Sequence, residues 1–235
     1  MRRRSAWYVA AILLLLAAGG STILSLLVRH VPTFYRQNEL SDADTRECRS
    51  TECWRKTQDM WNTIENGLPW KQEFSQDQLN GYLQHACDRS SAAMFELPDE
   101  VHDIRVGLDK DRLRIGFRYE GGWWSSVISV DLRVWLVAKE TNVVALELCG
   151  FHAGALPLGT QALLDFISDA ARKVREHNIE VTWFRHGNHP VALLHFQANQ
   201  PRPTILLSQL EFQPGVLVIR GNPPPDPTPP AANGQ

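Results

Sequence analysis

Residues Ala6 to Val28 form an almost unbroken apolar run, entered through Arg2-Arg3-Arg4 and left through Arg29-His30. The uncharged stretch is about 22 residues, and at ~1.5 Å of rise per residue it can cross a hydrocarbon core of ~30 Å. A helix is the only open structure that can do so, because it satisfies its own backbone groups internally. The run therefore predicts a transmembrane helix over residues 6–28 that tethers the rest of the chain. Small residues at Ala17-Ala18-Gly19-Gly20-Ser21 would suit cleavage of a secretory signal. Beyond them the apolar run resumes as Ile23-Leu24-Ser25-Leu26-Leu27-Val28, too long for a signal core, and no Cys follows for lipid attachment. The segment thus reads as an uncleaved signal-anchor. Three Arg precede it, against Arg29 and Arg36 close behind, so residues 1–5 are expected in the cytoplasm and the body outside it.

Charge narrows the partners. The chain has 24 Lys+Arg and 26 Asp+Glu, and four of those Arg lie in the first 30 residues, which hold no acid. The body is therefore acidic. It lacks the electrostatic footprint of a nucleic-acid binder, and anionic headgroups repel it weakly. Residues 29–73 read as a juxtamembrane helical segment and 74–221 as one domain large enough to have its own core. The Pro-rich end, residues 222–235, reads as an extended, disordered tail.

Four cysteines, Cys48, Cys53, Cys87 and Cys149, allow disulfides in an exported chain. On one straight helix Cys48 and Cys53 would be more than ~7 Å apart and point in different directions, so they are not expected to pair with each other. Either could reach Cys87 if the first two soluble helices pack together. Free buried thiols are the alternative. A zinc set of Cys48, Cys53, His85 and Cys87 has suitable ligand types but only a loose match in spacing.

Along the body, residues 39–66 have a helical pattern, with Trp54, Trp61, Ile64 and Leu68 as its apolar stripe. After the break at Asn66-Gly67-Leu68-Pro69, Ser75 and Gln78 form a capping box, and Phe74 and Leu79 occupy the positions of a hydrophobic staple. From Val101 the period changes from helical to alternating. Strands are expected over 112–119, 127–137 and 143–151, separated by Asp109-Lys110-Asp111, Glu120-Gly121-Gly122 and Glu140-Thr141-Asn142. Turns this short imply an antiparallel meander. Another helix follows Gly154-Ala155-Leu156-Pro157-Leu158-Gly159, with Leu163, Leu164, Phe166 and Ile167 among its apolar positions. Strand patterns return at 179–185, 191–198, 204–212 and 216–220. The fold class is α+β: an N-terminal transmembrane helix, then curved antiparallel sheet with helices packed across one face. Two successive blocks of helix then strands hint at an internal repeat.

No nucleophile elbow, phosphate loop, metalloprotease helix or dinucleotide fingerprint occurs in the sequence. Nothing in it calls for a cofactor or a metal, and no catalytic residue is assigned. His186 and His189 flank a tight turn and read as a solvated hairpin. Glu96, Asp99 and Glu100 read as a solvated loop. Trp123-Trp124 follows Gly121-Gly122, and neighbouring strand residues point to opposite faces; the favoured reading is that one indole fills the core while its neighbour packs under a helix, and the alternative is an indole exposed near a hairpin end, against a membrane interface or a sugar. The strands are also apolar on parts of both faces, with Trp135 and Val137 opposite Leu132 to Leu136. A helix across such a sheet can leave an apolar groove for lipid, for which Trp123, Trp124, Trp135, Leu164 and Ile167 are the candidate lining residues. A partner protein would cover the same surface equally well.

Phe74-Ser75 through Gln78-Leu79-Asn80, followed by Gly154-Ala155-Leu156-Pro157 before Leu163-Leu164 and Ile167, resembles a pattern in certain bacterial envelope proteins. Those proteins combine an N-terminal membrane anchor with one extracytoplasmic α+β domain, in some cases similar to tubular lipid-binding domains. The resemblance spans two short motifs within residues 74–220, and the helix at 39–66 and the tail lie outside it. It implies a non-catalytic envelope protein that binds lipid or a membrane-proximal partner. A scaffold subunit of an envelope complex is the alternative. A hydrolase ranks third, since it would need paired acids or a His–carboxylate set brought together by the fold.

Overall fold

The apolar run becomes one long helix, α1 (Arg2–Arg29), followed by a five-residue helix, α2 (Thr33–Gln37), and a third, α3 (Ala43–Glu65). The computed structural model describes residues 2–88, 100–122, 124–159, 180–187, 189–197 and 205–224. Among these residues α1 is the one helix long and apolar enough to cross a membrane, and its apolar stretch from Ile12 to Leu27 is exposed. Ile12 to Leu16 are all more than half exposed.

The rest is α+β. Strand β1 (Trp70–Ser75) leads directly into α4 (Gln76–Asp88). Strands β2 (Val101–Asp109), β3 (Arg112–Gly121), β4 (Trp124–Leu136) and β5 (Val143–Ala153) follow, with a two-residue β6 (Leu156–Pro157). The last four are β7 (Glu180–His186), β8 (His189–His195), β9 (Leu206–Gln213) and β10 (Val216–Asn222). Two open antiparallel sheets result: a large one in the order β2-β3-β4-β5-β8-β7, with β6 beside β5, and a small one in the order β1-β10-β9. The expected meander is β2 to β5. The two blocks of the hinted repeat are not equivalent, because β7 and β8 extend the large sheet while β9 and β10 pair with β1. The predicted helix containing Leu164 and Ile167 lies outside the described residues, as does the tail from residue 225.

Alternation sorts the large sheet into an apolar and a polar face. In β3 and β4, Leu113, Ile115 and Phe117 stand opposite Leu132, Val130 and Ile128. Leu108, Val134 and Val144 meet Phe212 of the small sheet in one core, against which Leu79 of α4 also packs. The other face carries Arg114, Asp131, Arg133 and Glu147, paired across strands. Helices α2 and α4 both pack against β2, and α3 lies on α4, so the helices gather on one side of the sheet.

The capping box forms in full. Gln78 N–H donates to Ser75 Oγ at 3.2 Å, and Ser75 N–H donates to Gln78 Oε1 at 3.1 Å. The Gln78 amide also donates to Glu52 at 3.1 Å and accepts from Lys56 Nζ at 3.0 Å, so one side chain caps α4 and ties it to α3. The hydrogen bond from Gln78 and then that from Arg49 hold the Glu52 carboxyl below its ordinary range. Contact between α3 and α4 runs through small residues: a Cβ added at Gly81 would lie 2.6 Å from Arg49 Cβ, and Ser50 and Cys53 are buried.

That packing turns the predicted apolar stripe outward. Trp54, Trp61 and Leu68 are 45–55% exposed, since the buried side of α3 holds Ser50 and Cys53 instead. Two elements were not anticipated. Strand β1 pairs with β10 from Trp70↔Gly221 to Ser75↔Val216, so the sheet structure begins upstream of residue 74. Helix α2 lies as a strap over β2 and β3. The Tyr35 ring packs where Gly116 has no side chain, and Arg105 sits 4.2 Å above that ring. Tyr35 donates from its hydroxyl to the Asp103 carbonyl at 2.7 Å, and burial pushes its pKa up to about 12.

Candidate functional site

The two outer strands of the large sheet differ in how their backbones are treated. Strand β2 is sealed by side chains. Asn80 accepts from Val106 N–H at 2.7 Å and donates to its carbonyl at 2.8 Å, and Gln76 accepts from Leu108 N–H at 2.7 Å. Asn38 adds a further donor to the Val106 carbonyl at 3.0 Å. These amides stand in for the missing neighbouring strand and satisfy buried groups that cannot be left unpaired.

Strand β7 has no such cover. All seven of its residues are exposed, and among the described residues nothing pairs with its outer side. Val181, Trp183 and Phe184 are 37%, 40% and 43% exposed, so aromatic surface lies on both faces of this edge. An open apolar edge offers unpaired N–H and C=O groups to an incoming strand, together with side chains that would be buried on pairing.

Next to this edge lies a set of titratable groups on the polar face. Glu147 is buried, and its carboxylate is 3.4 Å from Arg133 Nη1 and 3.6 Å from His186 Nδ1. His189 Nδ1 is 2.9 Å from the Leu148 carbonyl, and Cys149 Sγ donates to the Glu147 carbonyl at 3.7 Å. Arg114 is 3.9 Å from Asp131 and also bonds Asp109. Each carboxylate here has a cationic neighbour, and the thiol is spent on backbone, so the arrangement locks strands together. Among the described residues no group of three or more His, Cys, Asp or Glu could hold a metal. The hairpin carrying His186 and His189 is thus tied to β5 by Glu147, an acid 39 residues upstream that sequence proximity did not offer.

The residues singled out from sequence do not converge on one groove. Trp124 opens β4 at the tip of the β3–β4 hairpin, 36% exposed and 5.2 Å from the Tyr119 ring. Trp135 is half-buried and, opposite Ala145, shares the polar face with Arg133 and Glu147. Trp123, Leu164 and Ile167 lie outside the described residues, as do Glu96 and Asp99. Cys48 and Cys53 are free thiols, exposed and buried respectively, and burial pushes the Cys53 thiol up; the side chain of Cys87 is not among those described. A shallow recess on α3 is lined by Asp44, Glu47, Cys48, Thr51, Glu52 and Arg55. The sequence signal that could have found the open edge is Val181-Thr182-Trp183-Phe184, where apolar residues occupy both parities of one strand. No family model matches this chain, and no curated protein or solved structure does either.

Proposed function

We propose that this chain is a single-pass, membrane-anchored, non-catalytic protein that binds a protein partner by strand addition at β7. The observation that carries the reading is the open, aromatic edge of β7, in a sheet whose opposite edge is sealed by Asn80, Gln76 and Asn38. Sheets left open by default tend toward association, and blunting of one edge alone marks the other as the place for a neighbour. Anchoring by α1 rests on its length and on what cleavage would leave. A cut after the small residues near Ser21 would strand Ile23, Leu24 and Leu26 as an apolar stub, each at least half exposed. The envelope of a bacterial cell is the setting that the sequence resemblance suggests, with the domain on the outer side of the membrane.

The test is native mass spectrometry of the full chain extracted from its own membrane in mild detergent, with organic extraction of the released material. A complex with a second protein, or with a second copy, is expected, and Phe184→Lys with Trp183→Lys should abolish it while leaving the monomer folded. A bare monomer from wild-type membranes would overturn the reading. Stoichiometric lipid released from such a monomer would instead support the carrier alternative.

A further inference from the structure

The way α1 joins the domain fixes which end of the sheet faces the bilayer. The carbonyls in the last turn of a helix have no partner within it. Here the domain supplies them: Ala155 N–H donates to the Leu27 carbonyl at 2.8 Å, and Ser126 Oγ donates to the Val28 carbonyl at 2.7 Å. Gly154, at φ +62°, lies so close beneath these two carbonyls that a Cβ there would overlap both. No slack chain separates the apolar helix from the sheet.

From this joint the chain climbs the sheet in a definite direction. Val28 is level with Ser126, which pairs with Tyr119. Phe34 and Tyr35 lie over Gly116, whose partner is Ser129, and Asn38 reaches Val106, level with Val130. Each step is farther from the Gly121–Trp124 tip. The small sheet and β1 lie farther still, where Phe212 accepts from Asp111 N–H at 3.1 Å and Leu108 accepts from Gly215 N–H at 3.0 Å. The Gly121–Trp124 tip is thus the end of β3 and β4 nearest the point where α1 enters the domain. Trp124 is two strand residues beyond Ser126, about 7 Å at ~3.3 Å per residue. Leu24 is one turn, about 6 Å, back from Val28 along α1.

We infer that the β3–β4 hairpin tip, with Trp124 and the Tyr119 ring against it, is seated in the headgroup region of the same bilayer that α1 crosses. The inference rests on the anchor reading of α1 and adds a second membrane contact and an orientation to it. Tyr119 and Trp124 are amphipathic aromatics of the kind that settle at a membrane interface, with the ring in apolar surroundings and the polar edge hydrated. Trp54 and Trp61 of α3 are more exposed than Trp124, but α3 is reached only after the strap has climbed the sheet and packs on α4, away from the tip.

The experiment uses the full chain reconstituted in phosphatidylcholine vesicles, with photoreactive benzoylphenylalanine placed singly at Leu15, Trp124, Ser125 or Trp54. Ser125 is exposed beside Trp124 and serves if the substitution at 124 disturbs the hairpin. Lipid adducts at Leu15, Trp124 and Ser125, and their loss at Trp54, are the expected result. Adducts at Leu15 with none at Trp124 or Ser125 would overturn the seated tip and leave the anchor standing. An adduct to lipid at Trp54 would overturn the orientation. Absence of lipid at all four positions would remove the anchor itself.

Discussion

Strands β2 and β7 bound the same sheet, yet one edge is closed by three amide side chains and the other, among the described residues, stands bare. The closure is an expensive arrangement. It requires Asn80, essentially fully buried, to meet both backbone groups of Val106, and Gln76 and Asn38 to be held in place by each other at 2.7 Å. The β7 edge, on which nothing comparable is found among the described residues, carries exposed Trp183 and Phe184 instead. The contrast teaches that exposure of a strand is informative only beside a strand of the same sheet that has been protected.

The sealed edge can be broken most directly at Asn80. Asn80→Ala leaves the Val106 N–H and C=O buried, with Asn38 as the remaining donor, and should cost about 2–4 kcal/mol of domain stability in denaturant titrations. A cost below about 1 kcal/mol would show that the edge is not sealed by this residue. Gln78→Ala removes half of the capping box and the links to Glu52 and Lys56. A loss of about 1–2 kcal/mol is expected by the same titration.

Tyr35 sharpens the comparison through pH. Its folded pKa, about 12, is above the ordinary 10, so the folded state holds the phenolic proton more tightly. The stability it contributes is complete below pH 10 and is lost as pH rises through 12. Tyr35→Phe should flatten the fall in Tm between these values and cost about 1 kcal/mol at neutral pH through the lost bond to Asp103. The smallest effect on stability belongs to the bare edge. Phe184→Lys should stay within about 0.5 kcal/mol of wild type. Its consequence should appear in the assembly state instead.

Local rules carried much of this fold. The Ser75–Gln78 box was legible because both of its bonds lie within four residues, and β3, β4 and β5 because strict alternation leaves little choice of register. Strand β1 escaped because Trp70–Ser75 has only Trp70 and Phe74 as apolar markers, and its partner, β10, is more than 140 residues away in sequence. For α3, spacing told which residues share a side but not which side faces inward. The close approach of Gly81 to Arg49 decided that, and placed Trp54 and Trp61 outside. The strap α2 is too short for periodicity to register, although Gly107 and Gly116 leave the room it occupies. Of the candidate site, the β3–β4 turn at Gly121-Gly122 was legible and the β7 edge was not, since an unpaired edge is a property of the assembled sheet.

The joint at Gly154 has a mechanical consequence. A flexible stalk would let a domain wander above a membrane whatever its anchor does. Here the last carbonyls of α1 are bonded into β4 and the β5–β6 turn, so helix and sheet are joined without a hinge, and under the proposed anchoring the joint becomes a fulcrum at the lipid surface. With α1 anchored as proposed, a change in bilayer thickness that tilts α1 would swing the sheet with it, and the outer strands β2 and β7, each two strands from the joint, would move more than β4 and β5.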